Sequence, residues 1–240
     1  IDGNAAITNA TGGASTDGNG GSGISSGSML TISDNAAITN ATGGSGRRGG
    51  HGLFGSVMKI ISSTIGTAQG GEGKTSGGHG IYGVGQLTIS DNAAITNATG
   101  GNATSIDGTG GNGIRSKIVK ILGGLITKAK GGNATGEDGD GGAGIASDGA
   151  LTIHSGNIGT AQGGTSANGT GGDGIRSDGE LTIKGGEIKQ TTGGKATGES
   201  GNGGSGIRSG DTLTISNSAT ITNATGGTST NGNGGSGIYS

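Results

Sequence analysis

A parallel β-solenoid is the fold this sequence predicts, and three observations predict it. A G-G-x-G-[I/L] anchor occurs eight times, with its apolar residue at Ile24, Leu53, Ile81, Ile114, Ile145, Ile175, Ile207 and Ile238. The spacings are 29, 28, 33, 31, 30, 32 and 31 residues, the mark of tandem structural repeats. Gly fills 65 of 240 positions and apolar residues only 27%, too few large side chains for a thick globular core. Each unit must therefore bury a little and let its neighbours complete the core, which is the logic of a solenoid. Finally, the apolar residues come in short pieces that alternate with polar ones, the period of strands; the i, i+3, i+4 stripe of a helix is absent. Residues 1–240 read as a single all-β domain of about eight turns of ~30 residues, beginning and ending within a repeat.

Each turn carries three apolar pieces. The first is the anchor itself. The second is L-T-I, as at Leu87-Thr88-Ile89 and Leu151-Thr152-Ile153, replaced in two turns by Met58-Lys59-Ile60 and Val119-Lys120-Ile121. The third is a lone isoleucine a few residues on: Ile7, Ile38, Ile65, Ile95, Ile126, Ile158, Ile188 and Ile221. Turn residues punctuate them. Ser147-Asp148-Gly149 and Ser177-Asp178-Gly179 separate the first piece from the second, and Ser33-Asp34-Asn35 and Ser90-Asp91-Asn92 the second from the third. Asp, Asn and Gly there supply side-chain-to-backbone bonds and positive φ. Three strands and three corners per turn follow, with turns ~4.8 Å apart and a rod roughly 35–40 Å long. Between the third piece and the next anchor lie Gly/Thr/Ser/Asn-rich inserts of varying length, such as residues 102–109. They are either loops on one edge or, because Gly lets backbones approach closely, a tight polyglycine-like layer.

Stacked repeats turn equivalent positions into columns. The position after the anchor residue reads Ser25, Phe54, Tyr82, Arg115, Ala146, Arg176, Arg208, Tyr239, and faces outward. It holds all three aromatic residues of the chain and three of its five Arg. Aromatic and Arg side chains dominate interfaces and stack on sugars, so Phe54, Tyr82, Arg115, Arg176, Arg208 and Tyr239 form a candidate contact strip. Two turns are apolar on both faces, through Val57 with Ile61 and Ile118 with Leu122. Those four residues are a candidate self-association patch, unless a neighbouring loop covers them.

Other chemistry is thinly represented. The net charge of −2 leaves no electrostatic footprint for nucleic acid. No apolar run reaches the ~18 residues of a membrane span. With no Cys there is no disulfide framework, and no cofactor is expected. His51 and His79 share the variable anchor position in consecutive turns and should stack, but two imidazoles make a poor metal site. Glu137-Asp138-Gly139-Asp140-Gly141 lacks the remaining ligands of a calcium loop. The 16 acidic residues are spread one or two per turn, without the clustered carboxylates that hydrolysis needs, so no enzyme is expected. Asn-x-Ser/Thr sequons occur at Asn9, Asn40, Asn97, Asn102, Asn133, Asn168 and Asn223.

The segments Gly78-His79-Gly80-Ile81 and Thr88 to Thr99, and their copies along the whole chain, resemble the parallel β-helix repeats of bacterial surface proteins, namely autotransporter passengers and polymorphic outer-membrane adhesins. The extra Gly of the anchor and the missing F-x-x-N motif depart from that pattern. The resemblance implies a right-handed helix and an extracellular or cell-surface location. The leading functional expectation is a structural β-solenoid segment of a surface fibre or adhesin that associates with copies of itself. The rival is a carbohydrate-binding module that holds glycans or other cell-surface polymers on the aromatic/Arg strip. With no terminal turn resembling a polar cap, the rod is expected to continue beyond both ends, covalently or by stacking of copies, or to be capped by flanking domains.

Overall fold

The computed structural model describes residues 1–240 and is an all-β parallel solenoid of about eight turns. An eight-stranded sheet collects the third apolar piece of every turn, from Ala6–Thr11 and Ala37–Thr42 through Ala94–Thr99 to Thr220–Thr225, paired parallel and in register. Isoleucines stack on isoleucines through the whole sheet, as Ile65 on Ile95 and Ile126 on Ile158. An eleven-stranded sheet holds both other pieces. The inward positions of the two sheets form one cluster of 31 buried residues running the length of the rod. Each fully buried isoleucine contributes about 1.5–3 kcal/mol, so the sparse core is enough only because every rung adds to it.

The sequence leads one to expect three strands meeting at three corners; the chain forms two long sheets, with a third of two short strands, Gly46–Arg48 and Gly73–Ser76, in the inserts. The anchor and L-T-I pieces run as one strand in the earlier turns, at Ile24–Ile32, Leu53–Ile61, Ile81–Ser90 and Ile114–Ile121, with a shift of register partway. In later turns they part into Ile145–Ser147 and Leu151–Ile153, and so on. Asp-Gly enters at 148–149 and 178–179 and opens the strand, whereas Gly83-Val84-Gly85 lets it run on. Neither of those Asp-Gly pairs has positive φ. Buried serines hold the break instead. Ser147 Oγ donates to the carbonyls of Lys117 and Ala150, and Ser177 Oγ to those of Gly149 and Glu180. Positive φ is confined mainly to the corner after L-T-I, at Asp34, Asn35, Asp91, Gly124, Gly186 and Asn217.

The third piece also departs from simple alternation. In Ala37–Thr42 both Ile38 and Ala41 point inward, three residues apart, while Thr39 and Asn40 face out. The pairing skips Thr39, so the strand bends there and presents two consecutive side chains to solvent. Ala68, Ala98, Ala129 and Ala161 repeat this second inward position, all fully buried.

The Gly pairs flanking each insert form a seam. The N–H of Gly111 donates to Gly101, Gly101 to Gly78, and Gly78 to Gly71, crossing from one arm of the coil to the other at every half turn. The same zigzag runs from Gly13 to Gly235 with N···O distances of 2.7–2.9 Å. Other glycines in the arms bond to the next rung, as Gly100 to Lys130 and Gly110 to Asp140. A Cβ on Gly111 would sit 1.9 Å from the Gly78 carbonyl oxygen, so only Gly lets the arms close, as at the axis of collagen. Of 159 backbone hydrogen bonds, 88 lie outside the regular strands, so arms and corners bond as heavily as the sheets do. Beyond the seam the inserts are ordered. Ala103, Ala134, Ser166 and Ala196 pair rung to rung in a small buried column. The tight polyglycine-like layer and the edge loops are therefore both present, the first carrying the second.

Candidate groove along the anchor face

The variable residue of each anchor comes two positions before the apolar one, and at Ser22, His51, His79, Asn112 and Asp173 its side chain accepts a backbone N–H of the next turn. His79 N–H donates to His51 Nδ1 at 2.9 Å, Asn112 N–H to His79 Nδ1 at 2.8 Å, Ala143 N–H to Asn112 Oδ1 at 2.6 Å, and Ser205 N–H to Asp173 Oδ1 at 2.7 Å. This ladder fixes the chemistry of the histidines. A ring nitrogen that accepts from a backbone N–H is unprotonated, so the proton sits on Nε2 and the imidazole is neutral. Burial, reinforced by the charge of Arg115, lowers the His51 pKa to about 4. His79 is pushed well below the ordinary range by burial first, then by His51 and Arg115.

A tight aromatic group results. The two imidazoles lie 5.1 Å apart and nearly parallel, and Tyr82 packs against both at 4.8 and 4.9 Å, with Phe54 5.7 Å from Tyr82. Further along the rod the outward column turns polar. Arg115 grips Asp148 with a fork, Nε to Oδ1 at 3.0 Å and Nη2 to Oδ2 at 3.1 Å. Arg176 does the same to Asp178, at 2.6 and 2.9 Å. That bond holds the Asp178 carboxyl below its usual range. These pairs are more than a third exposed and add little to stability, but they set the direction of each guanidinium. Asp173 is buried, which raises its carboxyl above the usual range against the pull of Ser205, Arg208 and Arg176.

These side chains line one groove of about 770 Å³ that runs beside the seam. One wall is the outward column, another the variable anchor column, and the rest are residues just before each Gly pair, such as Arg48, Thr109 and Asp140. Ala143 and Ala146 leave a low floor between the Arg115 and Arg176 rungs. Phe54, Tyr82, Arg115, Arg176 and Arg208 thus come together in the groove, whereas Tyr239 stands on the last turn, exposed and outside it. Sequence reasoning did not find Asp148, Asp173 or Asp178. For Asp173 the signal was there in the variable anchor position, which changes from Ser to His, Asn, Ala and Asp between constant glycines.

The remaining candidates lie elsewhere. Val57 pairs beside Met29, and Ile118 beside Gln86, on the outer face of the eleven-stranded sheet. Ile61 pairs with Ser90, one residue beyond the L-T-I piece, the place Leu122 takes after Ile121. Val57, Ile61 and Ile118 are half-buried, and Leu122 and Met29 exposed. Asn9, Asn40, Asn97 and Asn223 stand on the outside of the other sheet, where Asn40 Nδ2 donates to Asn9 Oδ1 at 3.0 Å. Asn102 and Asn133 accept from the next rung instead, at 2.8 and 2.9 Å, as does Asn168 at 2.8 Å. No group of three or more His, Asp or Glu stands close enough to hold a metal ion. No helix is long and apolar enough to cross a membrane.

Neither the family models, nor the curated proteins, nor the solved structures compared with this chain gave a match.

Proposed function

We propose that this solenoid is a cell-surface rod whose lateral groove holds a linear glycan. One observation carries this reading: the aromatic cluster, the Arg115–Asp148 fork and the guanidinium of Arg176, held by Asp178, line a single groove parallel to the stacking direction. Sugars offer apolar ring faces edged with hydroxyls, and a groove with ring faces at one end and fixed polar forks further along matches both. Tyr82 and Phe54 supply the stacking faces, and Arg115 and Arg176 supply oriented donors. Binding of polysaccharide to the intact chain, measured by calorimetry, tests it. Tyr82→Ala should weaken binding at least tenfold while leaving the melting temperature within a few degrees. Unchanged affinity in that variant would overturn the assignment of the groove.

A second reading, a structural fibre segment that associates with copies of itself, is favoured by a separate observation. Met29, Val57, Ile61, Ile118 and Leu122 place apolar side chains on the outer face of one sheet, away from the groove. None of these residues lines the groove, so the two roles are compatible.

A further inference from the structure

Resting on the reading of the groove as a glycan site, we infer that its ligand is a neutral, extended polysaccharide lying along the rod in step with the rungs, and not an acidic one. The first ground is charge. Acidic polymers are held by rows of unmatched cations, and the groove has no such row: its two arginines without a salt bridge, Arg48 and Arg208, stand in different turns, with the closed pairs between them. Arg115 is closed by Asp148, Arg176 by Asp178, and Arg208 faces the field of Asp173. A fork already engaged with a carboxylate still offers its outer N–H groups and carboxylate lone pairs to hydroxyls, while a second carboxylate would meet the first one's charge.

The second ground is the histidine ladder. Because the Nδ1 atoms of His51 and His79 accept backbone N–H bonds, both rings carry their proton on Nε2. No bond within the chain uses either Nε2–H, and no buried side-chain nitrogen lacks a partner, so these donors open into the groove. Neutral donors beside the Tyr82 ring are the complement of hydroxyl and ring oxygens, and they carry no charge to attract a uronate.

The third ground is spacing. The lining extends from the Ile24 turn to the Ile207 turn, six rung steps of ~4.8 Å, or roughly 29 Å. An extended β-1,4-linked hexopyranose chain advances by nearly one rung per sugar with successive rings turned over, so one sugar falls on each rung and every second sugar presents the same face. Coiled glucans do not keep that step.

The test is calorimetric titration of the intact chain with oligosaccharides of two to eight units. The probes are β-1,4-glucose and β-1,4-N-acetylglucosamine as neutral extended chains, α-1,4-glucose as a coiled one, and galacturonate and mannuronate as acidic ones. Expected is binding of an extended neutral series, with affinity rising with length to about six units and changing less than twofold between low and high salt. Stronger, salt-sensitive binding of a uronate series would overturn this inference and leave the groove as a glycan site. Equal binding of the coiled glucan would overturn the register. Failure of every series would overturn the glycan reading itself.

Discussion

His79 stacks on His51 with ring centroids 5.1 Å apart and planes 8° apart, and its backbone N–H donates to the Nδ1 of the same ring. Stack and bond both require the neutral ring, which ties stability to pH. An unfolded histidine takes up a proton near 6.5, whereas folded His51 does so only at about 4. The stabilisation is therefore complete above pH 6.5, is lost as pH falls from there toward 4, and changes no further below. For His51 the loss is on the order of 2–3 kcal/mol. Asp173, whose carboxyl is raised by burial, acts in the opposite sense, its contribution being present in acid and lost as pH rises through its folded value. His51→Asn separates the two. Asn112 makes the same ladder bond two steps further on, so the variant keeps the fold and should flatten the decline of melting temperature below pH 6.5. A decline as steep as in the parent would refute the assignment.

The seam makes glycine positions sharply unequal. Gly111→Ala puts a methyl 1.9 Å from the backbone oxygen of Gly78, which belongs to another turn and cannot rotate away. Overpacking of side chains costs about 1–3 kcal/mol, and a fixed backbone neighbour should push this substitution beyond that range. Gly27→Ala meets nothing within 4 Å and lies outside the positive-φ region. It should stay within about 0.5 kcal/mol of the parent. Urea unfolding of the two variants checks the contrast; equal midpoints would mean that the arms are not closed in solution.

The isoleucine columns could be read directly, because Ile at a fixed phase in a chain so poor in large apolar residues has few other uses. Ala98 could not. Alanine occurs in strands, loops and anchors alike, and its inward position depends on the bend that turns Thr96 and Asn97 outward together. Ser147 and Ser177 read as turn residues, yet are fully buried, because their hydroxyls find two carbonyls apiece. At the groove, the strip from Phe54 to Arg208 was legible as a column. Asp148 and Asp178 were not, since they sit in turns and reach the strip only through the side chains of Arg115 and Arg176.

The core makes a simpler demand. Ile95 is fully buried between Ile65 and Ile126 of the adjoining rungs. Ile95→Ala should cost about 2–5 kcal/mol, as for other large-to-small changes at closed sites. Ile95→Asp should disrupt the stack, because the carboxylate would have no partner among isoleucines. Thermal melts followed by circular dichroism report both, and an unaltered melt for the aspartate variant would contradict the inward assignment.

Leu122 is 42% exposed and Met29 52%, and both lie on the face opposed to the core of the eleven-stranded sheet. Ile61 and Leu122 occupy equivalent places on either side of Ser90, so they stand two rungs, or ~10 Å, apart along one column. Val57 and Ile118 are likewise separated by Gln86 along a second column of the same face. Lys59 and Lys120 lie between the two columns. If this face joins copies of the chain, light scattering should show a mass that grows with concentration. The double change Ile61→Lys and Leu122→Lys should return it to the monomer without altering groove binding. Neither residue fills the core, so the variant should melt like the parent. A parent that stays monomeric at high concentration would eliminate lateral association through this face and leave the groove as the only proposed contact surface of the rod.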